Sequence, residues 1–161
     1  MIRPASISDA AAICGIYNYY VLNTCITFEE EAVPEFKMTG RIAETMANRP
    51  WYVWEDLGEV VGYAYASNWK DRSAYRYSAE TTVYIRQDRT GRGIGKKLYE
   101  PLIADLRQAG MHSIMGGISL PNSASQKLHE ALGFKKVAHF EQVGWKFKKW
   151  IDVGYWELRV G

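Results

Sequence analysis

The stretch that most constrains this chain is residues 83–96, where Val83-Tyr84-Ile85 leads into Arg89-Thr-Gly91-Arg-Gly93-Ile-Gly95-Lys96. β-Branched and aromatic residues predict a strand over about Ser78 to Ile85, and a helix is expected from about Ile94 to Ala109. Glycines in the intervening loop let the backbone approach a ligand closely, and the helix start offers unpaired N–H groups at the positive end of its dipole. Together they suit a diphosphate, with Arg92, Lys96 and Lys97 adding charge. The spacing matches neither the phosphate loop that ends in Gly-Lys-Ser/Thr nor the dinucleotide fingerprint, whose final gap is missing. A plain glycine-rich turn is the competing reading of this segment taken alone. Pro101 falls inside the expected helix, which predicts a kink near residues 97–101.

The remaining pattern alternates strands and helices. A short strand at 1–4 precedes Ser6-x-x-Asp9, a capping box that opens a helix with Ile13, Ile16, Tyr17 and Tyr20 on its buried face. Pro34 starts a second helix through Phe36, Ile42 and Met46. Residues 51–56 and 59–66 form a hairpin around Leu57-Gly58. Residues 112–119 are strand-like, and 123–132 read as a helix with Leu128 and Leu132 facing inward and Gly133 as its C-terminal cap. Strands near Ala138 and from Asp152 to Arg159 finish the chain. This order predicts an α/β or α+β sheet protein.

With 161 residues, 47% of them apolar, the chain suits one domain over 1–161 with a real core and excludes general disorder. A net charge of +2 is too small for a general nucleic-acid binder. The N-terminal residues carry no signal-peptide pattern and no apolar run is long enough to span a membrane. Cys14 and Cys25 are expected as free thiols, Cys14 buried and inert, which fits a cytoplasmic location. His112, His129 and His139 lack metal-ligand spacing with either cysteine, so no metal site is expected.

The glycine loop resembles the acetyl-CoA loop of the GNAT superfamily of N-acetyltransferases, Arg/Gln-x-x-Gly-x-Gly/Ala, with Thr90 standing where Arg or Gln is usual. A second block, Leu120-Pro-Asn122-Ser-Ala-Ser125-Gln-Lys-Leu-His129-Glu-Ala-Leu-Gly133-Phe134, resembles the family's closing strand–helix unit. Trp69-Lys70-x-Arg72-x-Ala-Tyr75, Ala79-Glu80-x-Thr82-Val83-Tyr84 and Trp150-x-Asp152-Val-Gly-Tyr-Trp156 are similar to phosphinothricin N-acetyltransferases. Gln142-Val-Gly144-x-Lys146-Phe147 is shared with acetyltransferases of methionine sulfoximine and methionine sulfone. The resemblance implies the GNAT fold, a mixed central sheet of about six to seven strands flanked by about four helices. It also implies a cytoplasmic homodimer that moves the acetyl group of acetyl-CoA to the α-amine of a glutamate-like amino acid, without a metal, nucleic acid or membrane partner.

Amide formation needs a neutral amine, so a base must take a proton. Glu80 is the candidate base. His129, where the family often has a tyrosine, is the candidate acid for the departing thiolate or a second base. Val83, Tyr84, Ile85, Gly91, Arg92, Gly93, Ile94, Gly95, Lys96, Asn122 and Ser125 are the expected cofactor-binding residues. Phe28, Lys70, Asp71, Arg72, Tyr75, Glu80, Thr81 and Thr82 are the expected substrate contacts, Lys70 and Arg72 suiting a carboxylate or phosphinyl group. An acetyltransferase for another small amine is one alternative. A non-catalytic acyl-CoA-binding module is another, against which the presence of both Glu80 and His129 argues. Glu29-Glu-Glu31 reads as a solvated run, and Lys146, Lys148 and Lys149 as a surface cluster. Aromatic residues make up 14% of the chain. Phe28, Trp69, Tyr75 and Tyr84 are expected around the substrate, and Trp145, Trp150 and Trp156 at a subunit interface.

Overall fold

Both faces of nearly every strand carry apolar side chains, so the sheet needs cover on both sides. In strand β2 (Trp51–Asp56), Trp51 and Val53 are buried on one face while Tyr52 and Trp54 are half-buried on the other. The computed structural model, which describes residues 1–161, satisfies this with a seven-stranded mixed sheet between two pairs of helices. Helices α1 (Ala10–Asn23) and α2 (Glu35–Met46) cover one face; their Ile13, Ile16, Tyr17, Tyr20 and Ile42 pack with Trp51, Val53 and Tyr63. Helix α3 (Ile94–Gln108) covers the other through Leu98, Leu102 and Leu106, and Leu128 and Leu132 of the α4 segment (Ser123–Ala131 and its cap) pack onto the same cluster. Each fully buried aliphatic or aromatic side chain contributes about 1.5–3 kcal/mol.

The strands are β1 (Ile2–Pro4), β2, β3 (Glu59–Asn68), β4 (Ser78–Ile85), β5 (Ser113–Leu120), β6 (Lys135–Lys146) and β7 (Lys149–Arg159), and they lie in the order β1-β2-β3-β4-β5-β7-β6. Every neighbouring pair is antiparallel except β4 and β5, which are parallel. That pair meets only at Ser78–Ser113, Ala79–Ile114 and Glu80–Met115. Beyond Glu80, β4 runs on to Ile85 beside β3 and β5 runs on to Leu120 beside β7, so the middle of the sheet opens.

Most expected elements appear, α3 with its start at Ile94 among them, and four points differ. Ser6 and Asp9 form the capping box, but it opens a short 3-10 turn before α1 begins at Ala10. Helix α3 starts at Ile94, runs through Pro101 and so keeps its N-terminus against the glycine loop. Phe36 is 74% exposed, because α2 turns Met38 and Ile42 inward instead. The strand expected near Ala138 is twelve residues long and is turned into β7 at Phe147-Lys148, both with positive φ. Trp156 belongs to the core under α3 and not to an exterior surface, because β7 alternates and turns it toward the α3 side. Gly133 does cap α4: its φ is +93°, its N–H donates to the Glu130 carbonyl, and the Phe134 N–H donates to that of His129.

Candidate active site

Where β4 and β5 part, their facing backbone edges lack strand partners and a cavity of about 710 Å³ opens between and around them. Glu80 stands at the apex, as the last β4 residue in register with β5. Strand alternation sends Ala79 and Thr81 toward the α3 side, where they are buried, and Glu80, Thr82 and Tyr84 toward the α1–α2 side. Glu80 is half-buried and lines the cavity, and burial raises its carboxyl pKa above the ordinary range, with the nearby Lys70 charge pulling the other way.

His129 reaches the same cavity from the opposite face of the sheet. Its ring is 3% exposed, and packs edge-on against Tyr99 and Phe134 with centroids 5.5 and 5.0 Å away. Nδ1 lies 2.7 Å from the Ser125 carbonyl one turn earlier in α4. A carbonyl can only accept, so Nδ1 carries the proton and Nε2 is left as an acceptor. Nε2 is buried and has no partner, and it faces the α-carbon of Gly116 on β5, where an added Cβ would come within 2.5 Å. Burial lowers the imidazole pKa, which keeps the ring neutral at pH 7.

The glycine loop has the geometry its sequence predicts. Gly91 and Gly93 have φ of +74° and +75°, a conformation that other residues seldom adopt, and Gly93 is the N-cap of α3. Gly95 lets α3 approach α4: a Cβ there would stand 3.1 Å from Leu128. Arg92, Lys96 and Lys97 are exposed, and the Lys97 ammonium lies 5.2 Å over the Trp54 ring. Thr90 folds back to donate to the Gln87 carbonyl at 3.2 Å. Ile85 and residues 91–96 lie outside the cavity wall, whereas Val83, Tyr84, Asn122 and Ser125 lie in it. Asn122 caps α4, accepting from the Ser125 N–H at 3.2 Å.

The structure also brings Phe28, Lys70, Thr81 and Thr82 to the cavity wall. Asp71, Arg72 and Tyr75 are not in it; they lie exposed on the connection that continues from Lys70 toward β4. A run of stacked groups forms one side: Lys70 lies 5.0 Å over the Trp69 ring, Trp69 packs on Tyr155 at 5.2 Å, and Tyr155 on Phe140 at 6.0 Å. Sequence reasoning did not single out Tyr155, Phe140 or Val143 as site residues. For Tyr155 a signal existed, since alternation along β7 puts it opposite the buried Trp156.

Two charged residues stand elsewhere than expected. Glu29 is half-buried, forks onto Arg41 at 2.6 and 2.9 Å and accepts from the Tyr17 hydroxyl, so it is not part of a solvated run. Arg41 and Tyr17 together hold its carboxyl below the usual range, Arg41 contributing most. Lys146 is 1% exposed and donates to the Thr27 carbonyl at 2.8 Å, because β6 folds its inward face over the connection after α1. Lys148 and Lys149 are exposed as expected. No cluster of three or more His, Cys, Asp or Glu side chains suitable for a metal is present.

Known proteins resemble this chain in sequence and in fold. Residues 2–154 match the family model of the acetyltransferase (GNAT) domain. The chain is 36% identical to phosphinothricin N-acetyltransferase of Streptomyces viridochromogenes, over 97% of this chain and 85% of that protein. It is 36% identical to the L-methionine sulfoximine/L-methionine sulfone acetyltransferase of Salmonella typhimurium, over 99% and 94%. The crystal structure of a GNAT superfamily phosphinothricin acetyltransferase from Sinorhizobium meliloti in complex with acetyl-CoA superposes with a TM-score of 0.96 at 32% identity, covering 100% of this chain and 88% of that one. The chain therefore belongs to the GNAT superfamily of acetyltransferases, and within it is similar to phosphinothricin and methionine sulfoximine acetyltransferases.

Proposed function

We propose that residues 1–161 act as one domain that transfers the acetyl group of acetyl-CoA to the α-amine of phosphinothricin-like amino acids, directly and within a ternary complex. The observation that carries this reading is the opening of the sheet beyond Glu80, with a carboxylate at its apex. The unpaired edges of β4 and β5 suit an extended amide-bearing arm, and the α3 N-terminus with Gly91, Gly93 and Arg92 suits its diphosphate. Acetyl-CoA, when bound, supplies an activated thioester. Val83, Tyr84, Asn122 and Ser125 would line its arm, and Gly91 to Lys96 its phosphates.

Glu80 takes the proton of the substrate ammonium, directly or through one water, and its raised pKa makes it a better base than an exposed glutamate. The β4 N–H of Val83, on the strand edge that faces the opening, meets the charge developing on the carbonyl oxygen. His129 enters neutral, with Nε2 as an acceptor, so its part is in receiving or relaying a proton. Lys70 and Phe28 face the acceptor within the wall, whereas Arg72 and Tyr75 stand exposed on the adjoining connection, outside it. Holding amine and thioester together supplies up to about 7–11 kcal/mol of the acceleration. A homodimer in the cytoplasm completes the reading. It rests on the relatives' resemblance and on the exposed Trp145 and Trp150, whose rings lie 4.7 Å apart at the β6–β7 turn.

Methionine sulfoximine and methionine sulfone are the second acceptor class, favoured by the Salmonella relative and by the aromatic Trp69–Tyr155–Phe140 wall, which suits an uncharged head group. The test measures thiol release with phosphinothricin, methionine sulfoximine, methionine sulfone and a polyamine. Turnover of at least one of the first three is expected, with intersecting initial-velocity lines. Absence of turnover with all three overturns the substrate class, and parallel lines overturn direct transfer.

A further inference from the structure

We propose that Lys146 is a positioning residue for the acyl acceptor, fixing the connection between α1 and α2, and through it Phe28, against the cavity. The inference rests on the proposed function only for the identity of that acceptor.

Residues 24–34 join the two helices with no regular structure of their own, yet Ile26, Thr27 and Phe28 form part of the cavity wall. Such a segment holds a side chain in place only if its backbone is tied down. The far part of the connection is held by Asn18 on Val33 and Arg41 on Glu29, and three ties hold the part that lines the cavity, Cys25 to Thr27. Ser119 on β5 donates to the Cys25 carbonyl at 2.7 Å, and the Thr27 hydroxyl bonds the Tyr17 hydroxyl of α1 at 2.8 Å. The third is the Lys146 ammonium on the Thr27 carbonyl at 2.8 Å.

The third tie is unlike the others. It puts a nearly fully buried ammonium on a neutral acceptor 119 residues away in sequence, with no carboxylate within ion-pairing distance. A buried charge without a close counterion is an unfavourable way to build a wall that only needs filling. What the ammonium provides that an apolar side chain could not is a directed bond to one carbonyl. Two residues earlier on β6, Gly144 presents bare backbone to the Phe28 ring, where an added Cβ would stand 2.5 Å from Cε2. Phe28 itself is 41% exposed, so core burial does not hold it. Lys146 and Gly144 thus grip adjacent residues, Thr27 and Phe28, from one strand. A displacement of about 1 Å in a group that positions substrate can lower rates about 100-fold.

The test compares the full-length chain with Lys146→Met, which keeps the length and removes the donor. We expect kcat/KM for the amino-acid acceptor to fall by about tenfold or more, mainly through KM, with KM for acetyl-CoA within about twofold. Hydrogen exchange, measured without ligands, should quicken in residues 24–33 and stay unchanged in 83–96. Lys146→Arg, which retains a donor, should recover part of the acceptor KM. If Lys146→Met does not fold, Gly144→Ala displaces Phe28 from the same side with the ammonium in place, and the same rise in acceptor KM is expected. Unchanged exchange in 24–33, or an equal fall for both substrates, overturns the proposal. If the wild-type chain acetylates no amino acid tested, the acceptor reading fails while the exchange comparison still decides whether Lys146 holds the connection.

Discussion

Glu80 and His129 share one cavity and differ in almost everything else. Glu80 approaches from the α1–α2 side of the sheet, half-buried at the apex of the β4–β5 opening, with its carboxylate facing the space a substrate would fill. His129 approaches from the α3–α4 side, caged by Tyr99 and Phe134, its Nδ1 pinned to its own helix and its Nε2 against Gly116. Burial acts on both, and the sign differs: it raises the acid and lowers the imidazole, so each is pushed toward its neutral form. On the proposed function, one is a base held at a cost in stability, and the other a packed ring that also borders the cavity.

The strongest way to break this contrast is Glu80→Gln. We expect kcat/KM to fall by about 10²–10⁴, the usual worth of a positioned base. Thermal stability at pH 7 should rise slightly in the same variant. The folded pKa of Glu80 lies above its unfolded value, so its contribution is fully present below the ordinary glutamate range and is lost as pH rises through the folded pKa. Stability curves of the two proteins should converge at acid pH, and a variant less stable than wild type at pH 7 would contradict this assignment.

Gly116→Ala probes the other side. A Cβ 2.5 Å from Nε2 forces His129 out of its cage, and a loss of about 1–3 kcal/mol is expected, read as a fall in Tm. His129→Phe should lower kcat by less than Glu80→Gln does, about tenfold, and flatten the acid side of the stability profile. The imidazole's folded pKa is below its unfolded value, so its contribution is present above pH 6.5 and is lost as pH falls through the folded value. A kcat loss equal to that of Glu80→Gln would make the two residues partners in one proton transfer. The smallest effect is expected from Gly93→Ala, about 1 kcal/mol for its left-handed backbone, accompanied by a higher KM for acetyl-CoA and an unchanged KM for the acceptor.

The two halves of the site were also unequally legible in the sequence. Strand, glycine loop and α3 are contiguous, and Asn122, Ser125 and His129 fall within eight residues, so each group forms a short motif in which the family resemblance could be read. The α1–α2 side is assembled from Phe28, Lys70, Tyr155 and Val143, separated by up to 127 positions, and no local period encodes such a meeting. Lys146 illustrates the difficulty. Beside Lys148 and Lys149 it looks like part of a solvated cluster, and only the reversal at Phe147-Lys148 sends it inward. Glu29 was misread in the same way, since its partner Arg41 lies across a non-helical connection where no helical spacing relates them. Trp156 was misassigned for a different reason: three tryptophans close in sequence fall on two faces of one hairpin.

The same hairpin leaves β6 as an outer edge of the sheet, twelve residues long with Val137, Phe140 and Val143 exposed. A strand of that length and composition would ordinarily template the pairing of further chains. Its register slips between Lys136 and Ala138 and again between Phe140 and Gly144, where Gln142 takes a positive φ and its N–H is claimed by Asp152 at 2.8 Å. Those two breaks divide the edge into segments too short and too twisted to propagate a ladder, so a concentrated solution of this protein is guarded against fibrous assembly while its apolar side chains stay available for specific contact.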